Sequence, residues 1–166
     1  MSKELTQRAS KIKLFVSDVD GVWTNGTVLV NADGSESVSF SILDGFGLVS
    51  LMQNGVEVAV ISGRNNPAVG ARASKLGIEE VHLGFMNKGD IIQQIINDRG
   101  LSRDEVASIG DDLPDLEMFM HSGLCFAPPN AVDAVKKSAD YVCKDTAGLG
   151  AVREVCDLIL SAKAII

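Results

Sequence analysis

The stretch Leu14-Phe15-Val16-Ser17-Asp18-Val19-Asp20-Gly21-Val22 ends an apolar run with two aspartates and a glycine. The run predicts a buried β-strand, and ligands of an open parallel sheet bind just beyond the carboxyl ends of its strands. Alternate residues of an extended segment face the same way, so Asp18 and Asp20 can address one site. One carboxylate can then act as a nucleophile and the other as a general acid and base. Alternatively, the stretch is a strand that ends in a polar Asp-Gly turn.

Composition limits the partners of the protein. The 166 residues suffice for one domain with a real core, and the formal net charge is −7. This charge argues against nucleic acid or an anionic membrane surface as the main partner. An anionic substrate would need local positive charge or a metal ion. The crowded carboxylates favour a divalent cation, and ligation by oxygen alone favours Mg²⁺.

The cysteines and the N-terminal residues bear on localisation. The three cysteines are odd in number, widely spaced and set among apolar residues: Cys125, Cys143 and Cys156. We expect buried, reduced thiols in a cytoplasmic protein. Residues 1–13 lack the apolar segment of a signal peptide, and no apolar run reaches the roughly 18 residues of a membrane span.

Strand and helix patterns alternate along the chain. Strands are predicted over 13–19, 57–61, 81–83, 106–109, 124–127 and 141–143. Helices are predicted over 43–55, 67–76, 90–99, 110–120, 131–138 and 150–163, and residues 1–11 form a short polar helix or arm. This order predicts an α/β fold, with a Rossmann-like parallel sheet sandwiched by helices, as a single domain over residues 1–166.

A hairpin follows the first strand directly. Two β-rich segments, 27–31 and 36–40, flank Ala32-Asp33-Gly34-Ser35, and Asp-Gly is a hairpin signal. Because the hairpin leaves from the predicted site, it is either a flap over that site or an edge that pairs with another subunit.

Reactive side chains lie at the ends of successive predicted strands or at the start of a helix. They are Asp18 and Asp20, Ser62, Lys88, and the acidic cluster Asp111, Asp112 and Asp115. A nucleophilic carboxylate, a hydroxyl, an ammonium group and a metal-binding cluster form a set suited to phosphoryl transfer. That reaction depends on charge neutralisation and in-line positioning.

These motifs resemble the four ordered motifs of the haloacid dehalogenase superfamily. The chain is most similar to the capless branch of 3-deoxy-D-manno-octulosonate 8-phosphate phosphatases, over nearly all residues after 11. The resemblance rests on Asp18-Val-Asp-Gly-Val-Trp-Thr24, Asp44-Gly-Phe-Gly47, Ile61-Ser-Gly-Arg64, Arg72-Ala73, Leu76-Gly-Ile78, Lys88, Gly110-Asp-Asp-Leu-Pro-Asp115 and Gly150-Ala-Val-Arg-Glu-Val-Cys156.

The resemblance implies a role for each central residue. Asp18 would form an aspartyl-phosphate, and Asp20 would protonate the leaving alkoxide and then activate water. Asp18, Asp111 and the main-chain carbonyl of Asp20 would hold Mg²⁺. Ser62 and Lys88 would hold the phosphoryl oxygens. Superfamily dehalogenases lack the second acid, so Asp20 favours phosphate ester hydrolysis.

The branch also implies substrate contacts and an assembly. The implied substrate-binding residues are Asp44, Gly45, Arg64, Arg72, Gly148 and Gly150. The branch forms homotetramers through a hairpin like residues 24–41, and its C-terminal tail, here 147–166, helps neighbouring subunits to close the site. Here Ala147-Gly148 stands where the branch typically has two glycines, and Lys144 where it often has arginine.

Three alternatives remain open at this stage. Some phosphatases acting on nine-carbon sialic or deaminated sialic acid 9-phosphates carry an acid at the position of Arg64, so Arg64 favours the eight-carbon substrate. A non-catalytic oligomerisation module, like domains fused to cytidylyltransferases, is the second. A receiver-like phosphoacceptor is the third, and Asp20 argues against it.

Overall fold

A computed structural model describes residues 2–166. The strands are β1 (Leu14–Ser17), β2 (Leu29–Val30), β3 (Glu36–Ser37), β4 (Glu57–Ser62), β5 (Glu80–Leu83), β6 (Val106–Ile109), β7 (Leu124–Ala127) and β8 (Tyr141–Val142). The helices are α1 (Lys3–Ala9), α2 (Ile42–Gln53), α3 (Pro67–Leu76), α4 (Lys88–Arg99), α5 (Leu116–His121), α6 (Asp133–Ser138) and α7 (Ala151–Ala162). Within residues 2–166, no helix is long and apolar enough to cross a bilayer.

Six strands form one parallel sheet in the order β5-β4-β1-β6-β7-β8. From β1 the chain builds outward through β4 and β5, and then returns to place β6 on the other side of β1. Ser17 therefore has Val60 of β4 on one side and Ile109 of β6 on the other. The strand order reverses at β1, which is where open α/β sheets bind ligands. The predicted α/β fold is confirmed.

Helices cover both faces of the sheet. Phe15 of β1 packs in the cluster that contains the apolar residues of α1, α2, α3 and α7. Its neighbours Leu14 and Val16 point to the opposite face, against Ile92 of α4 and Met118 of α5. This alternation follows the two-residue period of a strand and makes β1 apolar on both faces.

Helices α2 and α7 pack closely on one face. A Cβ at Gly47 would lie only 3.1 Å from Cβ of Cys156, so the glycine allows the two helices to approach. Cys156 is buried and free, as are Cys125 and Cys143, which confirms the predicted state of the thiols. Burial raises the pKa of both Cys125 and Cys143 to about 12.

Two predicted elements differ most from the structure. The hairpin has strands of two residues instead of five. Its segments pair only with each other, and Asn31, which was predicted to end the first strand, belongs to the turn, where its N–H donates to the carbonyl of Ser35. The helix predicted over 110–120 is a 3₁₀ turn, Leu113–Asp115, followed by the short helix α5. The residues before this turn instead form a loop around the Asp115 carboxylate.

Candidate active site

Asp18 and Lys88 meet at the carboxyl end of β1. Asp18 follows the strand directly, and its N–H donates to the carbonyl of Ile109 at 3.1 Å. Lys88 is the first residue of α4, and its Nζ lies 2.5 Å from Oδ1 of Asp18 and 2.6 Å from Oδ1 of Asp115. All three side chains are buried, so one ammonium group is shared by two carboxylates in a site removed from water.

Asp115 organises the loop after β6. Its Oδ2 accepts hydrogen bonds from the N–H of Asp111 at 2.8 Å and of Asp112 at 3.1 Å. A Cβ at Gly110 would lie 2.2 Å from Cβ of Asp115, so this loop requires a glycine there. The sequence left the role of Asp115 open, and the structure shows that it holds both Lys88 and this loop.

The carboxylate of Asp20 is held by groups from β4 and the turn after it. Nη1 of Arg64 lies 2.8 Å from Oδ1 of Asp20, and Oγ of Ser62 lies 3.5 Å from Oδ2 of Asp20. The hydroxyl of Ser62 also accepts from the N–H of Arg64 at 3.2 Å. On its other side, Arg64 forms an ion pair with Glu36 of β3. Sequence reasoning missed Glu36. The signal that could have found it is the position of the hairpin, which begins directly after the site residues and can therefore fold back over them.

The carboxylates, Lys88 and Arg64 line a cavity of about 370 Å³ at the carboxyl edge of the sheet, whereas Ser62 is buried beside Asp20 and Glu36 lies outside the lining. This volume lies within the range of small-molecule sites, roughly 300–1,000 Å³. The lining residues are Asp18, Asp20, Gly26, Gly63, Arg64, Met86, Lys88, Asp111, Asp112, Pro114 and Asp115.

The acidic groups of the cavity fit a divalent cation. Carboxylate oxygens of Asp18, Asp111 and Asp115 lie within 4.8 Å of one another. Burial and the charge of Asp115 raise the pKa of Asp18 well above its ordinary value, although Lys88 opposes the rise. Burial and the charges of Asp115 and Asp112 raise the pKa of Asp111 to about 7. A bound cation would relieve this repulsion.

Hydrogen bonding indicates which carboxylates are free to bind the cation. Oδ1 of Asp115 accepts from Lys88, and its Oδ2 accepts from two backbone N–H groups. Asp18 uses only Oδ1 for Lys88. Asp18 and Asp111 are therefore better placed than Asp115 to supply oxygen ligands, and Mg²⁺ prefers such ligands.

Other residues expected to bind substrate lie outside the lining of this cavity. Asp44 is buried, and its Oδ1 accepts from the N–H of Arg153 at 2.9 Å in the first turn of α7. Arg72 donates through Nη2 to the carbonyl of Ser41 at 3.1 Å and covers Gly45, where a Cβ would lie 2.3 Å from Nη2. Within one chain these residues join α2 to α3 and α7.

The C-terminal tail packs on the loop that follows Asp20. Gly148 donates its N–H to the carbonyl of Val22 at 3.0 Å, and Gly150 is the N-terminal cap residue of α7. Asn130 links the same two loops: its Nδ2 donates to the carbonyl of Gly21 at 3.0 Å and its Oδ1 accepts from the N–H of Ala147 at 3.4 Å. Asn130 was not predicted, because a lone asparagine after two prolines reads as a turn residue.

Known proteins are similar to this chain over nearly its whole length. A family model described as haloacid dehalogenase-like hydrolase matches residues 80–155. The 3-deoxy-D-manno-octulosonate 8-phosphate phosphatase of Haemophilus influenzae is 37% identical over 159 residues, which are 96% of this chain and 88% of that protein. The enzyme of the same name from Escherichia coli K12 is 35% identical over 98% of this chain and 87% of its own length.

Solved structures of the same group superpose closely. The phosphatase of Moraxella catarrhalis, in complex with magnesium, phosphate and a KDO molecule, is 38% identical with a TM-score of 0.95, over 99% of this chain and 94% of that one. The cobalt-bound phosphatase of Haemophilus influenzae is 37% identical with a TM-score of 0.91, over 95% of this chain and 92% of that one.

The parallel sheet and its acidic site define a haloacid dehalogenase-like hydrolase without a cap domain over the cavity in residues 2–166. The protein is a phosphoric monoester hydrolase of this class. Within it, the chain belongs to the family of 3-deoxy-D-manno-octulosonate 8-phosphate phosphatases.

Proposed function

We propose that this protein is a magnesium-dependent phosphatase that hydrolyses 3-deoxy-D-manno-octulosonate 8-phosphate (KDO 8-phosphate). The observation that carries the proposal is the Lys88-paired carboxylate of Asp18 in one cavity with the carboxylate of Asp20. The relatives that share the family name, including the structure with magnesium, phosphate and KDO, support the substrate and the metal. The acid cluster of Asp18, Asp111 and Asp115 supports the same metal.

Asp18 is the proposed nucleophile. One of its carboxylate oxygens attacks phosphorus, and the bond from phosphorus to the ester oxygen breaks. Asp20 donates its proton to the departing alkoxide, which becomes the sugar hydroxyl. A water molecule then gives a proton back to Asp20 and attacks phosphorus, so that inorganic phosphate is released and the Asp18 carboxylate is restored. The two acids alternate in this way without any external reagent.

The other groups of the site neutralise the negative charge of the phosphoryl group and the carboxylates. Lys88 and Ser62 hold phosphoryl oxygens, and the ammonium group of Lys88 also offsets the charge on Asp18. Asp18, Asp111 and the carbonyl of Asp20 would hold the cation. When bound, Mg²⁺ supplies positive charge at the phosphoryl oxygens and lowers the repulsion between substrate and carboxylates. Asp112 and Asp115 support this arrangement from the loop after β6.

Arg64 and the groups outside the cavity are proposed to bind the sugar acid. Arg64 lines the cavity, whereas Asp44, Gly45, Arg72, Gly148 and Gly150 do not. We place the latter at sites completed by neighbouring subunits of a homotetramer, each chain forming one domain with its hairpin and tail at the contacts. Exposed apolar side chains on the hairpin support this assembly, Leu29 being 66% and Val30 62% exposed. The free, buried cysteines support a reducing compartment such as the cytoplasm.

A substrate comparison tests the function. Phosphate release is measured from KDO 8-phosphate, from nine-carbon sialic and deaminated sialic acid 9-phosphates, and from hexose phosphates, each with and without Mg²⁺. We expect the highest kcat/KM for the eight-carbon ester and activity only with the metal. A preference for a nine-carbon ester would show that the nine-carbon compound is the substrate. Absence of turnover by folded, metal-loaded protein would favour a non-catalytic oligomerisation module.

The assembly is tested separately. Light scattering on a size-exclusion column should give the mass of four chains, and specific activity should fall on dilution below the concentration at which the assembly dissociates. A monomer with full activity would contradict the proposed role of neighbouring subunits.

A further inference from the structure

We propose that Glu36 of the hairpin is a positioning residue that acts through Arg64 on Asp20. This inference rests on the proposed function, because it assigns Asp20 the proton transfers. The guanidinium group of Arg64 bridges two carboxylates: Nη1 lies 2.8 Å from Oδ1 of Asp20, and Nη2 contacts Oε2 of Glu36. The planar guanidinium presents several donors in a fixed fork, so anchoring one nitrogen orients the other.

The anchor is needed because Arg64 is partly exposed. Its side chain is 38% exposed, and a long side chain with one partner samples several rotamers. Glu36 supplies the second partner from the hairpin, where it pairs with Val30 in the antiparallel ladder. The backbone of Arg64 is fixed independently by the bond from its N–H to Oγ of Ser62.

The consequence reaches the acid itself. With Oδ1 of Asp20 held by Arg64, Oδ2 lies 3.5 Å from Oγ of Ser62, at the carboxyl end of β4. Asp20 is 25% exposed and would otherwise rotate in the cavity. Rates of proton transfer depend on the geometry between the acid and the leaving oxygen, so loss of this orientation slows the step in which the ester bond breaks.

The leaving group distinguishes this role from a general effect on folding. A sugar alkoxide needs a proton as it leaves, whereas 4-nitrophenolate departs without one. The ratio kcat/KM reports the steps up to formation of the aspartyl-phosphate. In Glu36→Gln, kcat/KM should fall roughly 10-fold for KDO 8-phosphate and also for a hexose 6-phosphate, which leaves as an alkoxide but has no sugar-acid carboxylate for Arg64 to bind, and by less than about 2-fold for 4-nitrophenyl phosphate. Glu79→Gln, at an exposed glutamate beside the opposite edge of the sheet, is the matched control and should leave all three values unchanged.

A double-mutant cycle tests the route through Arg64. If Glu36 acts through the guanidinium group, Glu36→Gln should change kcat/KM by less than about 2-fold when Arg64 is already glutamine. An equal fall in both backgrounds would show that Glu36 acts directly and would overturn the inference. An equal fall for all three esters, or a fall confined to KDO 8-phosphate, would also overturn it, because the effect would then not concern proton transfer.

A second readout does not depend on turnover. Relaxation of the side-chain Nε–H of Arg64, assigned by its loss in Arg64→Lys, should show greater mobility in Glu36→Gln than in the wild-type protein. Unchanged mobility would contradict the anchoring role. The wild-type protein in the same kinetic assay tests the proposed function itself: its failure to hydrolyse any of the esters overturns both conclusions, whereas turnover without coupling overturns only this one.

Discussion

Lys88 Nζ lies 2.5 Å from Oδ1 of Asp18, so the first residue of α4 neutralises the carboxylate at the end of β1. The same nitrogen lies 2.6 Å from Asp115, and all three groups are nearly inaccessible to water. Desolvation lowers the pKa of Lys88, but the two carboxylates outweigh it and the net pKa is raised. Lys88 is therefore charged in the interior, where it neutralises the two buried carboxylates that contact it.

Replacing Lys88 should lower both stability and activity. In Lys88→Met, Asp18 and Asp115 lose their shared cation, and breaking a buried pair costs about 3–5 kcal/mol. We expect the free energy of unfolding, measured with urea in the absence of metal, to fall by about that amount, and phosphatase activity to be lost. Lys137→Met, at an exposed lysine of α6, should change stability by less than about 0.5 kcal/mol. Equal stabilities of the two variants would contradict the interior charge network.

Alanine substitutions at two glycines with nearly equal φ distinguish the effect of backbone strain from the effect of a displaced site residue. Gly21 has φ +84° and a Cβ there would lie 2.0 Å from Oδ2 of Asp111, whereas Gly77 has φ +79° and nothing within 4 Å. Alanine at either site adds strain of about 1–2 kcal/mol. Only Gly21→Ala should also displace Asp111, and kcat should then fall roughly 100-fold. Similar kcat values for the two variants would show that the contact with Asp111 is unimportant.

Magnesium should stabilise the protein through Asp111. At a metal concentration 100 times the dissociation constant, binding to the folded state adds about 2.7 kcal/mol. We expect Mg²⁺ to raise the Tm of the wild-type protein and of Asp112→Asn, but not of Asp111→Asn. Asp112 is exposed and caps the following turn by accepting from the N–H of Leu113 at 2.8 Å. A lost response in Asp112→Asn instead would assign the metal to that residue.

Glu105 should make stability dependent on acid pH. Its pKa falls from 4.5 to about 2, because Lys13 contacts its carboxylate and Ser102 donates to it from both backbone and side chain. The ionised group therefore stabilises the fold above pH 4.5, and this contribution is lost as the pH falls towards 2. The difference in urea midpoint between wild type and Glu105→Gln should be constant at neutral pH and vanish in that acid range. A difference that does not change with pH would contradict this.

Much of the fold followed from local patterns. Helix α3 begins at the proline and ends before the glycine that predicted its limits, and β6 and β7 match their apolar runs. Prediction failed where hydrogen bonds between side chains and nearby backbone groups override local propensity. The loop around Asp115 shortened a predicted helix, and α4 begins earlier than expected because Asn87 accepts from the N–H of Asp90 at 3.4 Å.

The site shows the same division. Parallel strands bring their carboxyl ends together, so the juxtaposition of Asp18, Asp20 and Ser62 followed from order along the chain. The partners Glu36 and Asn130 could not be found in that way. Each reaches the site from a hairpin or loop, whose placement depends on packing that a single sequence does not reveal.

The most direct test of the account is detection of phosphate on Asp18. The wild-type protein is mixed with KDO 8-phosphate and Mg²⁺, quenched in acid within one turnover, and digested for mass spectrometry. We expect one phosphorylated peptide that contains Asp18, and neither phosphopeptide nor released phosphate from Asp18→Asn. Turnover without a phosphorylated Asp18, or full activity of Asp18→Asn, would contradict the central claim that this carboxylate attacks the ester.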